Sequence, residues 1–420
     1  MTSDINSCAR GKRRIFTKPF FVLLLLSLVG LFYITVRFTK GIGAVSNLSD
    51  GYPWGIWVAY DVGIGTAIAC GGYAVAILVY ILNRGEYHNL VRSAILTSLF
   101  GSFLAAFSVV VDIGRPWNAY GFFVPTSWQP NSAFFELILC IAGGLVALAL
   151  EYLSPLVAAL GRGAPTSLRT IMLNFLVRRN LAAGVPGGDG SDHIATSLLR
   201  TRINRALICI VVAGIVLPTM HQSALGSLML IASTKLHPLW HSPFLPLLFL
   251  INCIYIGYAI VILESILSSY LLARSYQSGE LAPLGRLIPW LTGAWLAIRV
   301  VDLMRRDQVH AVFHGDFYSG FFLVECFLMA IGSAPLFSRE KRSSPRWLFI
   351  SASLMLLGSG LYRFNVYLIG FNPGTGWHYF PSFPEVMISV GILSLEILAY
   401  QLLVKLLPVL PAKPAVYARN

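Results

Sequence analysis

The sequence predicts an all-α integral membrane protein. About ten transmembrane helices are expected, as two tandem four-helix bundles plus two flanking helices, with both termini cytoplasmic. Three observations carry this. The chain has 420 residues, of which 56% are hydrophobic and only 12% charged, with a mean hydropathy of +0.71. A soluble domain carries about twice that share of charge. Ten apolar stretches approach or exceed the roughly 20 residues that cross a hydrocarbon core. Lysine and arginine collect on alternate connections: of 31, 23 fall on one set of segments and six on the other, with Arg299 and Arg363 left inside spans. Basic residues stay on the cytoplasmic side, so the bias sets the orientation. It also accounts for the net charge of +13 without nucleic acid as a partner.

The elements follow in order. Residues 1–18 form a basic cytoplasmic tail, and 19–407 the membrane domain. The tail's "KRRIFTK" is like a twin-arginine export signal. The run after it is strongly apolar and no A-x-A site closes it, so span one (19–39) reads as a retained helix. Span two (56–82) contains "WVAYDVGIGTAIACGGYAVA", with Ala59, Gly63, Ala67 and Gly71 at every fourth position. Such a stripe admits a neighbouring helix closely, so Asp61 faces protein rather than lipid. Span three (91–113) ends in "DIGRPWN". Span four (132–154) opens with Glu136 in "NSAFFELILC". A long cytoplasmic loop, 155–204, contains "GVPGGDGSDH" and reads as flexible. Span five (205–232) holds "LPTMHQS", in which Pro218 precedes His221 by three residues and frees a backbone carbonyl. Span six (243–273) carries Glu264, span seven (287–304) Arg299 and Asp302, span eight (318–337) Glu325, span nine (346–370) Arg363 and span ten (385–407) Glu396. Residues 408–420 are a second cytoplasmic tail. A weak repeat four helices apart sets Asp112 and Arg115 against Arg299 and Asp302, and "FFELILC" against "FFLVECF".

Ionisable groups at membrane depth are functional candidates by default. Asp61, Glu136, His221 and Glu264 lie at graded depths and suit a proton relay. Each has a bundle-fixing bond as its alternative, Asp61 through an arginine and the others as neutral hydrogen-bonded clamps. Glu151, near the cytoplasmic end of span four, is expected to be wet. Asp112, Arg115, Trp117 and Asn118 combine a carboxylate, a cation, an aromatic plate and an amide. That set suits a planar carbonyl-bearing ligand, and equally an interfacial anchor with an Asp112–Arg115 salt bridge. Bis-histidine haem needs facing histidines, and only His221 is deep. His237 with His241, and His310 with His314, are i,i+4 pairs without a third ligand nearby. The six cysteines show no paired spacing. No haem, no iron–sulfur cluster and no metal are therefore expected in this chain. The outer loops 119–130 and 370–385 are rich in aromatic residues, proline and glycine, which suits a docking surface.

Several stretches together are recognisable: "GYPWGIWVAYDVGIGTAIACGGYA", "NRGEYHNLVR", "DIGRPWN", "LPTMHQSALGSLM", "KLHPLW" and "FNPGTGWHYFPS". In these the chain resembles HybB-type hydrogenase membrane subunits, within the wider NrfD/polysulfide-reductase membrane-anchor family, over about residues 20–411. The resemblance implies a multi-pass protein of the bacterial inner membrane. Its partners would be a ferredoxin-like iron–sulfur subunit and the small and large subunits of a periplasmic NiFe hydrogenase. Menaquinone or ubiquinone would be the exchangeable electron acceptor, bound near the outer side, and protons would cross through Asp61, Asp112, Arg115, Glu136, His221 and Glu264. The alternative is the same scaffold serving another periplasmic oxidoreductase. Ser102, in "LFGSF", stands where the resembling subunits are expected to carry tyrosine.

Overall fold

A computed structural model of the chain describes residues 18–160, 189–271 and 278–406. Ten helices in it are long and apolar enough to cross a membrane. They are α1 (Lys18–Lys40), α2 (Trp57–Ile81), α3 (His88–Asp112), α4 (Ala133–Leu160) and α5 (Asp189–Ile231), then α6 (Leu245–Leu271), α7 (Ser278–Arg305), α8 (Phe317–Ser333), α9 (Pro345–Ile369) and α10 (Phe383–Leu406). Among the described residues no strand forms; Leu236 and Phe371 make one isolated antiparallel bridge. Helix is the expected answer to an apolar solvent, because each segment then satisfies its own backbone donors and acceptors. Most of the N-terminal tail, the C-terminal tail and the middle of the 155–204 loop (161–188) lie outside the described residues. That loop is shorter than expected at both ends. α4 runs on to Leu160, and α5 starts at Asp189 inside the glycine-rich stretch.

Side chains cap several helix starts, and two are the clearest. Ser319 N–H donates to Asp316 Oδ1 at 2.7 Å ahead of α8. Ahead of α10, Ser382 N–H donates to Glu385 Oε2 at 2.6 Å and Glu385 N–H donates to Ser382 Oγ at 3.2 Å. That is a reciprocal capping box, two orphan donors satisfied by two side chains.

α2 departs from regular geometry. It is π-helical over Trp57–Gly65 and again over Ile77–Ile81, and the end of α9 is π-helical over Asn365–Ile369. Wider turns of this kind recur at functional sites. The first segment holds Asp61 and Gly63, and the third follows directly on Arg363.

α2 and α6 sit centrally. α2 packs on α3, α5, α6 and α9, while α6 packs on α5, α7 and α9; α4 covers α3 and α5, and α8 covers α7 and α9. The small-residue stripe does admit a neighbour at Gly71, where a Cβ would lie 3.0 Å from Ile260 Cγ2. From the other side, a Cβ on Gly257 would lie 2.9 Å from Ala74 Cβ. α1 and α10 pair at the flank. Their backbones meet at two glycines: a Cβ on Gly30 would lie 2.6 Å from Gly391 Cα, and the reverse is also 2.6 Å. No side chain fits there without moving a helix. Replacing Gly30 with leucine is expected to destabilise the protein by about 1–3 kcal/mol through overpacking. Thermal unfolding in detergent checks this, and an unchanged midpoint would mean that α1 is not held at the glycine contact.

Candidate functional site

The polar groups within the helices fall into two sets that both touch α2. The first centres on Arg363 of α9, which is fully buried. Its Nη1 donates to Gly63 O at 2.9 Å on α2 and to Gln222 Oε1 at 2.7 Å on α5. Nη2 donates to Phe249 O at 2.9 Å and Nε to Asn252 Oδ1 at 2.7 Å, both on α6. The guanidinium carbon lies 4.8 Å from the Phe249 ring centroid. Four helices thus meet on one cation, and every contact to it is a neutral dipole or a π face. Gln222 Nε2 donates to Thr66 Oγ1 at 3.0 Å, and His221 Nε2 lies 3.1 Å from the same hydroxyl. Thr66 Oγ1 in turn bonds Val62 O. His221 Nδ1 faces the Leu137 backbone without reaching hydrogen-bond geometry.

Beside His221 a cavity of about 30 Å³ opens between α2, α3, α4 and α5, lined among others by Thr66, Tyr73, Ser98, Ser102 and Gln222. Its wall is mostly apolar, with Thr66, Ser98, Ser102 and Gln222 among the polar residues lining it, and it is large enough for one water. Ser102 therefore faces space that a larger side chain would fill.

The second set is a line of carboxylic acids. Asp61 of α2 accepts from Ser389 Oγ of α10 at 3.0 Å. Asp112, at the end of α3, and Glu396, two turns along α10 from Ser389, both lie close enough to Asp61 to feel its charge. Nearer the other end, Glu264 of α6 accepts from Thr97 Oγ1 of α3 at 2.7 Å and from the Tyr400 hydroxyl of α10. The ion pair found among the described residues is elsewhere, Asp302 of α7 with Arg306 just past its end, at 2.7 Å. Asp61 therefore has a hydroxyl partner and not an arginine. Asp112 is not paired with Arg115. Its neighbouring cation is Arg37 of α1, whose Nε donates instead to Val111 O at 2.6 Å.

Other expected residues fall away from these sets. Arg115, Trp117 and Asn118 are exposed on a 3-10 segment, Pro116–Phe123, with Trp117 69% exposed. Glu136 is half-buried at the start of α4. Glu151 is buried, with Oε2 placed 3.4 Å from where a Cβ on Gly214 would be, and so is not at a wet surface. Arg363, Thr66, Gln222, Ser389 and Glu396 were missed as site residues, although Arg363 and Glu396 carried the signal of charge at membrane depth.

The loop face expected to be external is ordered by Glu385, itself fully buried. Beyond its capping role it accepts from Asn47 N–H at 3.2 Å and from the Tyr379 hydroxyl at 2.9 Å. Tyr379 also accepts from Ile56 N–H at 2.8 Å, just ahead of α2. Burial and the Glu385 carboxylate push the Tyr379 phenol above its ordinary range, so it stays a donor.

Among the described residues no three histidine, cysteine or acidic side chains cluster closely enough to hold a metal ion.

Comparison with known proteins now bears on this arrangement. The family described as "Polysulphide reductase, NrfD" matches residues 44–372. The chain belongs to the NrfD family. This membership and the ten apolar helices make it a multi-pass membrane protein. It is 37% identical over 401 residues to a protein of Escherichia coli K12 named "Probable Ni/Fe-hydrogenase 2 b-type cytochrome subunit", covering 95% of this chain and 94% of that one. It is 22% identical over 409 residues to the "Menaquinone reductase, integral membrane subunit" of Nitratidesulfovibrio vulgaris, covering 91% and 89%. A third relative, from Mesobacillus selenatarsenatis, is named as one of the subunits of a selenate reductase; it is 20% identical over 419 residues, covering 93% of each.

The first of these names corrects one expectation. A b-type cytochrome subunit is a haem protein by name, so the prediction that this chain lacks haem does not stand. The error was physical: counting facing histidine pairs ignores iron held by a single histidine, or by histidine with methionine. His221 is the deep histidine available for such a bond. The 30 Å³ cavity beside it does not fit a porphyrin as it stands, and no step below passes through that group.

Removing the Arg363 guanidinium would strand Gly63 O, Phe249 O, Gln222 and Asn252 together. Arg363→Gln is expected to cost about 3 kcal/mol or more, since each buried polar group left unpaired costs about 1–3 kcal/mol. Arg363→Lys should recover only part of this, because a point charge cannot reach acceptors on three helices. Thermal unfolding of the purified variants checks both, and a parent-like midpoint for Arg363→Gln would show that the network does not hold the core.

Proposed function

We propose that this NrfD-family chain is the membrane subunit of a periplasmic hydrogenase, and that it passes electrons from partner iron–sulfur clusters to a membrane quinone while protons move through its buried acids. The observation that carries the reading is the set Asp112, Asp61, Glu396 and Glu264, in which Asp61 and Glu264 meet hydroxyls and no carboxyl forms an ion pair among the described residues, the Arg37 beside Asp112 being bonded to backbone carbonyls. Structural acids in a membrane are normally neutralised by a cation. Acids left with hydroxyl neighbours can take up and release protons, and Ser389, Thr97 and Tyr400 are suitable donors and acceptors between them. The name of the Escherichia coli relative supports the hydrogenase, and that of the menaquinone reductase relative supports a quinone as acceptor. The name of the selenate reductase relative favours a second reading, the same scaffold serving another periplasmic oxidoreductase.

In this reading α2–α5 and α6–α9 are two four-helix bundles joined at α2 and α6, with α1 and α10 flanking and both termini in the cytoplasm. The partner subunits dock on the opposite face. Quinone approaches the end of α2–α4 from the lipid, its ring against Trp117 and its carbonyls within reach of Arg115 and Asn118. Asp112, half-buried at the end of α3, is the nearest carboxyl. Reduction to quinol consumes two electrons, supplied by the partner clusters, and two protons, supplied through Asp112 and refilled from Asp61, Glu396 and Glu264. Glu136 and His221, with the water-sized cavity beside Ser102, form a second polar branch between α2, α4 and α5.

Asp61→Asn and Glu396→Gln keep shape and hydrogen bonding but remove the exchangeable proton. Each is expected to lower hydrogen-dependent quinone reduction by at least about 100-fold, with hydrogen oxidation by an artificial dye retained. His221→Phe should reduce quinone-linked turnover more than assembly. Full quinone reduction in both acid variants would refute the acid line as the route. Co-purification with a molybdenum reductase instead of hydrogenase subunits would favour the second reading.

A further inference from the structure

At the end of the molecule opposite the Glu385 loops, four cations meet. Residues 334–343 link α8 to α9 and fold back over the start of α7, ending in a five-residue helix, Arg339–Ser343. That fold-back brings Arg339, Lys341 and Arg342 to Arg286 of α7. The Arg342 stem runs beside Gly285, where a Cβ would lie 3.9 Å from its Cγ. Burial, and after it repulsion from Arg286 and Arg339, lower the Arg342 pKa. Glu340 is exposed on the same short helix, and none of the four cations forms an ion pair among the described residues. Like charges gathered without a counter-ion repel one another, so the cluster is built for an anion that no described side chain supplies.

The surroundings say which anion. Trp290 follows Arg286 by one helical turn, is 66% exposed, and meets Phe337 edge-on at 5.9 Å; Phe337 is itself exposed. Lys341 Nζ lies 4.9 Å from the Trp347 ring centroid in the first turn of α9. Exposed aromatic rings beside cations, at the ends of three membrane spans, are the boundary between headgroup and acyl chain. A free phosphate or a soluble metabolite has no use for Trp290 and Phe337, whereas a phospholipid covers them with its glycerol and first methylenes. The geometry points to a binding site for the phosphate of an anionic phospholipid, held by Arg286, Arg339 and Arg342 at the ends of α7, α8 and α9. Basic pockets between transmembrane helices hold anionic headgroups in this manner.

The test uses the full chain, purified in mild detergent with whatever subunits accompany it. Native mass spectrometry after incubation with equal phosphatidylglycerol and phosphatidylcholine should show phosphatidylglycerol retained and phosphatidylcholine lost. Arg286→Gln and Arg342→Gln should each weaken retention roughly fivefold, and together by roughly 25-fold. Lys40→Gln, which removes an exposed cation elsewhere, should not. Adding phosphatidylglycerol to delipidated protein should also raise the melting temperature of the parent but not of the double variant. Equal retention of the two lipids, unchanged retention in the double variant, or displacement by millimolar inorganic phosphate would each overturn the lipid site. None of these outcomes depends on quinone reduction.

Discussion

The architecture depends on a charge with no counter-charge. Arg363 carries a guanidinium into the centre of the helices and finds there only carbonyls, amides and an aromatic face. Arginine tolerates this because its charge is spread over a planar fork with five donors, so several weak acceptors can share it. The acceptors come from α2, α5 and α6, and the donor from α9. Those helices cannot slide or rotate independently without exposing a buried dipole. The π-helical turns beside the network, on α2 and at the end of α9, are the local deformations that accompany its fit.

The network also separates two kinds of electrostatics. On one side of the core a permanent cation is dispersed over neutral groups. On the other, the acids form no ion pair among the described residues, and Asp61 and Glu264 sit beside hydroxyls. Direct pairing of Arg363 with Asp61 would have tied up both groups in a static bridge. Instead each charge type is solvated by dipoles, and the carboxyls remain able to change protonation. Removing water from both sets strengthens each remaining interaction.

Helix number was legible in the sequence, because apolar run length and basic flanks are local signals, whereas the ends of α4, α5 and α7 were not, since these helices run past their apolar stretches. The capping box at Ser382 and Glu385 was equally written in "SFPE". What was not legible is which helices touch. Ser389 and Glu396 meet Asp61 only because α10 returns beside α2 and α3, and nothing near Asp61 in the chain announces it. Arg115, Trp117 and Asn118 looked like a pocket by chemical type, yet the 3-10 turn after Pro116 leaves all three at the surface. Arg363 was visible as an ion at depth, but Gly63, Gln222, Phe249 and Asn252 lie more than 100 positions away from it. Haem was judged by one ligation pattern, which composition cannot license.

The contact between Gly30 and Gly391 has a consequence for biogenesis. Among the ten described spans α1 leaves the ribosome first and α10 last, and at synthesis rates of about 5–20 residues per second their meeting is delayed by roughly twenty seconds or more. During that interval α1 waits in the lipid without its main partner, held only by its own apolar length and its basic flank. Insertion of α10 is then also a closing step: it arrives with its capping box, Ser389 and its two acids, and brings Ser389 and Glu396 to Asp61 as it seals α1 to the body.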